Sequence, residues 1–199
     1  MTCPETKKYA IIHLVMKMKK FLIINSSPRD KGVCAEVIKQ VKPYFAGCDI
    51  KQYDLYKLSP APCIACGYCE QHDGCSNSDL NIFFEDFEDA DYIAIFSPIY
   101  NNFFPAPLKA VIDRFQRYYS ARFYRGANPP IEKHKKVGLV ITSGSNARQS
   151  ADYMATTLKQ SFTVLNGTVT ARYYIPNTDS NAYTFNIVEL EKFVHQMKN

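Results

Sequence analysis

Residues 21–32, Phe-Leu-Ile-Ile-Asn-Ser-Ser-Pro-Arg-Asp-Lys-Gly, constrain the fold more than any other part of the chain. Four consecutive apolar residues, Phe21 to Ile24, read as a strand buried on both faces, and the polar segment ending in Gly32 reads as a loop. Beyond it Val33, Val37, Val41 and Tyr44 recur at helical spacing within residues 33–45. Strand, loop and helix in that order make an anion site. A helix N-terminus presents backbone N–H groups that have no partner within the helix, and Ser26, Ser27, Arg29 and Lys31 add donors and positive charge. The pattern fits a phosphate cradle at the first strand-to-helix turn of an open α/β sheet, although an ordinary helix-capping surface loop shares its composition.

The alternation continues to the end of the chain. A strand is predicted over 49–53, a Pro- and Cys-rich insert over 58–78, and a helix from Asp79 with Ser78 as N-cap and Leu80, Phe83, Phe84 and Phe87 as its buried stripe. A buried strand over 92–96 leads into a loop over 98–105 and a helix carrying Leu108, Val111, Ile112 and Phe115. A strand over 137–141, a helix over 151–162, a strand over 168–175 and a helix from Phe185 complete the series. Strands separated by helices argue for a parallel sheet covered on both faces. Right-handed crossovers then bring the loops at 25–32, 97–105 and 142–148 to one edge of the sheet.

With 199 residues and 46% apolar content, the chain can bury the core of a single domain, read here as 18–199. Translation from Met18 would open directly on the first strand, which makes residues 1–17 an extension. The apolar run within it is too short for a signal peptide and leads into Lys17, Lys19 and Lys20. No stretch reaches membrane-spanning length. The net charge of +5 is not gathered into a basic stripe, and residues 63–79 hold Glu70, Asp73 and Asp79 but no Lys or Arg, so nucleic-acid binding is not expected. Seven cysteines without a secretory signal point to the cytoplasm, where clustered thiols serve as metal ligands or redox groups rather than staples.

Cys63, Cys66, Cys69 and Cys75 follow the spacing C-x2-C-x2-C-x5-C. A regular helix would rotate the first three away from a common point, but a tight loop wound at Gly67 and Gly74 can gather them. Four thiolates could hold an iron–sulfur cluster or zinc, or remain unmetallated, with a redox disulfide as a further option; spacing alone does not choose. Cys3, Cys34 and Cys48 stand alone, and His13, His72, His134 and His195 are scattered as solvated surface groups.

These features together resemble the flavodoxin-like NAD(P)H-dependent FMN reductases, in particular their iron–sulfur flavoprotein branch. Asn25, Ser27, Pro28, Arg29 and Gly32 match the family's first loop, whereas Val33 and Cys34 stand where it usually has Asn and Thr. Ser97, Pro98, Ile99 and Tyr100 match its Ser-Pro-x-Tyr, followed by Pro107, Leu108, Lys109, Asp113 and Arg114. Asn101 and Asn102 replace an aromatic-Gly pair; Asn102 can take the Gly conformation and Phe103 can supply the aromatic.

The resemblance implies a five-stranded parallel sheet of order 2-1-3-4-5. FMN would be bound by Ser26, Ser27, Arg29, Lys31, Gly32, Val33 and Cys34 at the phosphate, by Pro98 to Phe103 beside the ring, and by Thr142, Ser143 and Gly144 on the third side. Asp113 and Arg114 are expected to make helix-surface or dimer contacts. The branch's cysteine motif holds a [4Fe-4S] cluster that passes electrons to FMN. Electrons would travel from NAD(P)H or a reduced protein to a small acceptor such as a quinone or flavin, in a homodimer, with the flavin rather than a side chain carrying the chemistry. A non-enzymatic flavodoxin-like or iron–sulfur carrier is the rival reading; the cysteine insert and the positive charge argue against a plain flavodoxin.

Overall fold

In the computed structural model, which describes residues 18–180 and 183–199, five parallel strands form one sheet of order β2-β1-β3-β4-β5. They are β1 (Lys20–Asn25), β2 (Asp49–Asp54), β3 (Tyr92–Pro98), β4 (Lys135–Thr142) and β5 (Gly167–Ile175). The three central strands are buried along nearly their whole length, as the apolar runs require, while β2 at the edge carries Lys51 and Gln52 to solvent. The side-chain alternation of each strand divides the core in two. Leu22, Ile24, Ile93, Ile95 and Leu139 face one side, and Phe21, Ile23, Ala94, Phe96 and Val140 the other.

Helices α4 (Asn81–Asp89), α5 (Ala106–Arg114) and α7 (Arg148–Val164) cover the first face with Phe83, Phe84, Phe87, Leu108, Val111 and Leu158. Helices α1 (Val33–Val41) and α8 (Ile187–Lys198) cover the second. Short helix α2 (Leu55–Leu58) precedes the cysteine segment, α3 (Tyr68–Gln71) lies within it and holds Cys69, and α6 (Gln116–Phe123) follows α5. Gly138 sets how closely α8 can approach β4: a Cβ there would lie 2.6 Å from Cζ of Phe193 and 2.8 Å from Sδ of Met197.

Several boundaries depart from the periodicity. The first helix stops at Val41, and residues 42–45 tighten into a 3₁₀ turn because Pro43 cannot donate to the preceding turn. Ser78 does not cap α4. Its carbonyl accepts from Asn81 N–H at 3.1 Å in the turn before the helix, whose N-cap is Leu80. The last helix begins two residues later than Phe185, where Asn186 Oδ1 accepts from the N–H groups of Val188 and Glu189. Helix α6 was not foreseen, because its sequence QRYYSARF has too weak an apolar stripe to announce itself. Residues 1–17, including Cys3, His13 and the proposed extension, lie outside the described residues.

Candidate functional site

The loop after β1 is shaped by its own side chains. Asn25 donates to Asp54 Oδ1 at 2.8 Å and accepts from Ser27 N–H at 3.1 Å, and Ser27 Oγ accepts from Arg29 N–H at 3.2 Å. These turns lead to Gly32, the N-cap of α1, where no side chain occupies the helix terminus. A Cβ on Gly32 would meet Arg29 Cβ at 2.9 Å. In the next loop Asn101 and Asn102 both have positive φ, 48° and 64°, and Tyr100 and Phe103 exchange backbone hydrogen bonds across them. That is a two-residue hairpin needing left-handed residues at both centres, which explains two asparagines in succession. Asn102 Oδ1 also accepts from Ser150 Oγ at 3.1 Å, tying the turn to α7.

A cleft of about 550 Å³ opens between these loops and the end of β4, a size suited to a cofactor. Ser27, Arg29, Lys31, Gly32, Val33 and Cys34 line it from the first loop, Pro98, Ile99 and Tyr100 from the second, and Thr142, Ser143 and Gly144 from the third. The remaining predicted residues lie elsewhere. Ser26 is fully buried beneath the cleft and donates to Phe96 O, and Phe103 packs edge-on to Phe104 against the core rather than into the cleft. Asn101 and Asn102 shape the turn without lining the cleft. Burial pushes the Cys34 thiol up to about 11 despite its contact with Thr142 Oγ1 at 3.5 Å, so it presents a neutral group to the cleft.

The sequence reading missed a fourth wall. Thr178, Asp179 and Tyr183, from the segment after β5, complete the cleft. Thr178 N–H and Oγ1 both donate to Ser143 O, and Asp179 N–H donates to Gly144 O, pinning this segment over the third loop. A Cβ on Gly144 would collide with the Asp179 carboxylate. The signal was topological: a loop after β5 leaves the same sheet edge as the other three. The Tyr183 hydroxyl is buried without a partner, and burial, with Glu36, Tyr173 and Cys34 nearby, raises it to about 12. A donor left unpaired on the wall of a cleft that also carries Arg29 and Lys31 fits a phosphorylated, polyol-bearing ligand such as FMN.

The cysteine insert makes a second site. Positive φ at Ala65 (52°), Gly67 (73°) and Gly74 (83°) winds the loop around α3, and Cys63, Cys66, Cys69 and Cys75 all line one cavity of about 310 Å³. Cys66 Sγ lies 3.2 Å from Ser76 Oγ, a contact that together with the Tyr68 N–H lowers its thiol pKa, and Cys69 donates to Ser120 Oγ at 3.4 Å. No disulfide links the described cysteines, and no three His, Cys, Asp or Glu among the described residues are gathered closely enough to hold a metal ion. Four soft donors spread around a cavity of this volume fit a multi-iron cluster in their chemistry.

The opposite wall carries Arg114 and Arg117. Arg114 is not a helix-surface residue as expected: its side chain is 1% exposed. Its Nη1 donates to Asp79 Oδ1 at 2.7 Å and Ala61 O at 3.3 Å, and its Nη2 to Asn77 O at 2.6 Å. Asp79 also accepts from Ala61 N–H at 2.8 Å; burial alone would raise its carboxyl, but this bond and Arg114 hold it below the usual range. Asp113 lies at the surface and pairs with Lys109 at 2.6 Å. His72, His134 and His195 are all exposed.

A parallel 2-1-3-4-5 sheet with a cofactor-sized cleft at the carboxyl ends of its strands defines a flavodoxin-like protein. More particularly, the chain belongs to the NADPH-dependent FMN reductase family, whose model matches residues 19–180, and it is an FMN-dependent oxidoreductase. It is similar to the iron-sulfur flavoprotein of Archaeoglobus fulgidus, 30% identical over 152 residues that cover 73% of this chain and 72% of that protein. The iron-sulfur flavoprotein of Methanosarcina thermophila is 42% identical over 94 residues, 46% of this chain and 49% of that one. In fold it resembles an NAD(P)H:quinone oxidoreductase from Methanothermobacter marburgensis (TM-score 0.64, 16% identity, covering 91% and 93% of the two chains). An FMN-dependent NADH-azoreductase from Bacillus anthracis in complex with FMN gives a TM-score of 0.55 at 17% identity, covering 91% and 96%. Among the described residues, no helix is long and apolar enough to cross a membrane.

Proposed function

We propose that this protein is an iron–sulfur flavoprotein that binds FMN in the 550 Å³ cleft and a [4Fe-4S] cluster between Cys63, Cys66, Cys69 and Cys75. The observation that carries the reading is that all four cysteines of the insert line one cavity, separate from the flavin cleft in the same chain. The names of the two archaeal relatives support it. Arg29 and Lys31 supply positive charge beside the α1 terminus, whose N–H groups hold the FMN phosphate. Backbone groups of Pro98, Ile99 and Tyr100 flank the ring, Thr142 to Gly144 close its third side, and Tyr183 offers its hydroxyl to the ribityl-phosphate portion. Bound FMN supplies hydride acceptance and one- or two-electron transfer, so the protein's task is orientation and electrostatics rather than acid–base catalysis.

Electrons enter from NAD(P)H or a reduced protein and leave to a small acceptor of the quinone or flavin class. The working unit is a cytoplasmic homodimer in which the cluster of one subunit approaches the flavin of the other. Mixed dimers with Cys66→Ala in one chain would then differ kinetically from wild type, and unchanged kinetics would remove the cross-subunit route.

The principal test is an absorption spectrum of anaerobically purified protein before and after dithionite, with flavin, iron and sulfide assays. Flavin bands, a broad bleachable shoulder and about four irons per chain are expected. Flavin without iron or sulfide, even after anaerobic reconstitution, would reduce the protein to a simple FMN reductase with idle thiols. NAD(P)H oxidation coupled to quinone reduction distinguishes the enzyme from a passive carrier.

A further inference from the structure

Two carboxylates line the flavin cleft, and they are held differently. Glu36 lies in the first turn of α1, where the helix dipole offsets a negative charge. Asp179 lies in the turn after β5, outside any helix or strand, and among the described residues no ion pair neutralises it. Its place is nonetheless fixed. Its N–H donates to Gly144 O at 3.3 Å, and Thr178 donates twice to Ser143 O, at 3.0 Å from N–H and 3.1 Å from Oγ1. The carboxylate occupies the space that a side chain at 144 would need, since a Cβ there would lie 2.1 Å from Oδ2 and 2.7 Å from Cγ. Gly144 lines the same cleft. The missing side chain at 144 therefore seats a negative charge on the third loop, while the cleft's cations, Arg29 and Lys31, belong to the first.

We propose that Asp179 sets the redox potential of the flavin: its carboxylate, seated on Gly144, opposes the negative charge that reduction brings to the ring. This rests on the placement of FMN in the cleft with its ring beside Thr142 to Gly144. Two electrons and one proton turn the neutral oxidised ring into an anion, and a second proton from solvent gives the neutral reduced form. A fixed carboxylate penalises the anion and leaves the oxidised ring unaffected. The equilibrium shifts toward the oxidised form, and the reduced flavin becomes the stronger reductant toward its acceptor. An asparagine at 179 keeps the shape and the backbone bonds but removes the charge.

The test compares midpoint potentials of FMN-loaded wild type, Asp179→Asn, Gly144→Ala and the double variant, read from flavin absorbance against reference dyes. D179N is expected to raise the two-electron potential by ~30 mV, about tenfold in the reduction equilibrium. G144A is expected to raise it as well, because its methyl group must push the carboxylate aside. In the D179N background the same change should add little, since no charge is left to move. FMN affinities of wild type and Arg29→Ala, measured beside them, check the cleft itself. If R29A binds FMN as wild type does, the flavin lies elsewhere and the inference falls with the site reading. If R29A is weakened but the D179N potential equals wild type, FMN occupies the cleft and the Asp179 inference alone is refuted. An equal G144A shift in both backgrounds would refute the seat on Gly144, because the loop and not the charge would have moved. Should G144A fail to bind FMN, D179N decides alone.

Discussion

Asp79→Asn isolates the ion pair that fastens the cysteine insert to α5. The Arg114 guanidinium is 1% exposed, and Asp79 is its one carboxylate partner among the described residues. Removing one member of a fully buried pair costs about 3–5 kcal/mol, because the surviving charge stays buried. Two features reduce that here: Asp79 is 28% exposed, and Arg114 keeps the carbonyls of Ala61 and Asn77. The asparagine also retains an oxygen able to accept from Ala61 N–H. We therefore expect a loss of about 2–3 kcal/mol, or a fall of roughly 1 M in urea midpoint for a domain of this size. The assay is equilibrium urea unfolding of the cofactor-free protein followed by far-UV circular dichroism. Asp30→Asn serves as control, since its pair with Lys57 is solvated at both ends, 77% and 67% exposed, and should contribute little to stability. If D79N loses no more stability than D30N, the Arg114–Asp79 pair is not what holds the insert.

Three further outcomes can be checked. Asp91 accepts from Lys20 N–H and pairs with Lys19 and Lys133; although burial raises its carboxyl, these partners hold it at about 2. Because its folded pKa is depressed, its contribution is present above the unfolded value near 3.8 and is lost as pH falls toward 2. Asp91→Asn should cost about 1–2 kcal/mol at neutral pH, and the gap from wild type should close between roughly pH 4 and 2 in chemical denaturation; a gap independent of pH would contradict this. Arg29→Ala should weaken FMN binding by about 1 kcal/mol, roughly fivefold, and lower its salt dependence, while riboflavin affinity stays unchanged. Equal losses for both flavins in fluorescence titrations would move Arg29 away from the phosphate. Tyr100→Ala should slow flavin reduction in stopped flow by roughly tenfold while changing stability by less than about 0.5 kcal/mol, and a wild-type rate would displace the second loop from the ring.

Local pattern carried much of this protein. Apolar runs such as Phe21–Ile24, too short for a buried helix and bounded by turn residues, suit a doubly covered sheet, so strand identity and the alternation with helices were legible without tertiary information. The same holds for the three strand-end loops, since right-handed crossovers leave them no other edge. The cysteine spacing was equally plain, and Asn102 could be read as a left-handed position, whereas the positive φ of Asn101 was not foreseen. What local pattern could not reach depended on contacts between distant residues. Ser26 and Ser27 are adjacent and chemically alike, yet one is committed to Phe96 O below the cleft and the other lines it, because successive residues point to opposite sides.

The sequence by itself determined the fold class, the sheet edge where the cleft opens and the four thiols of the insert, because each follows from residue type and short-range spacing. Only the tertiary structure decided that Thr178, Asp179 and Tyr183 complete the cleft and that Arg114 lies inside rather than on a helix surface. Its partners are 35 to 53 residues away along the chain. A charge is buried only where such distant carbonyls and carboxylates converge on it, and convergence is a property of packing, not of any window of sequence.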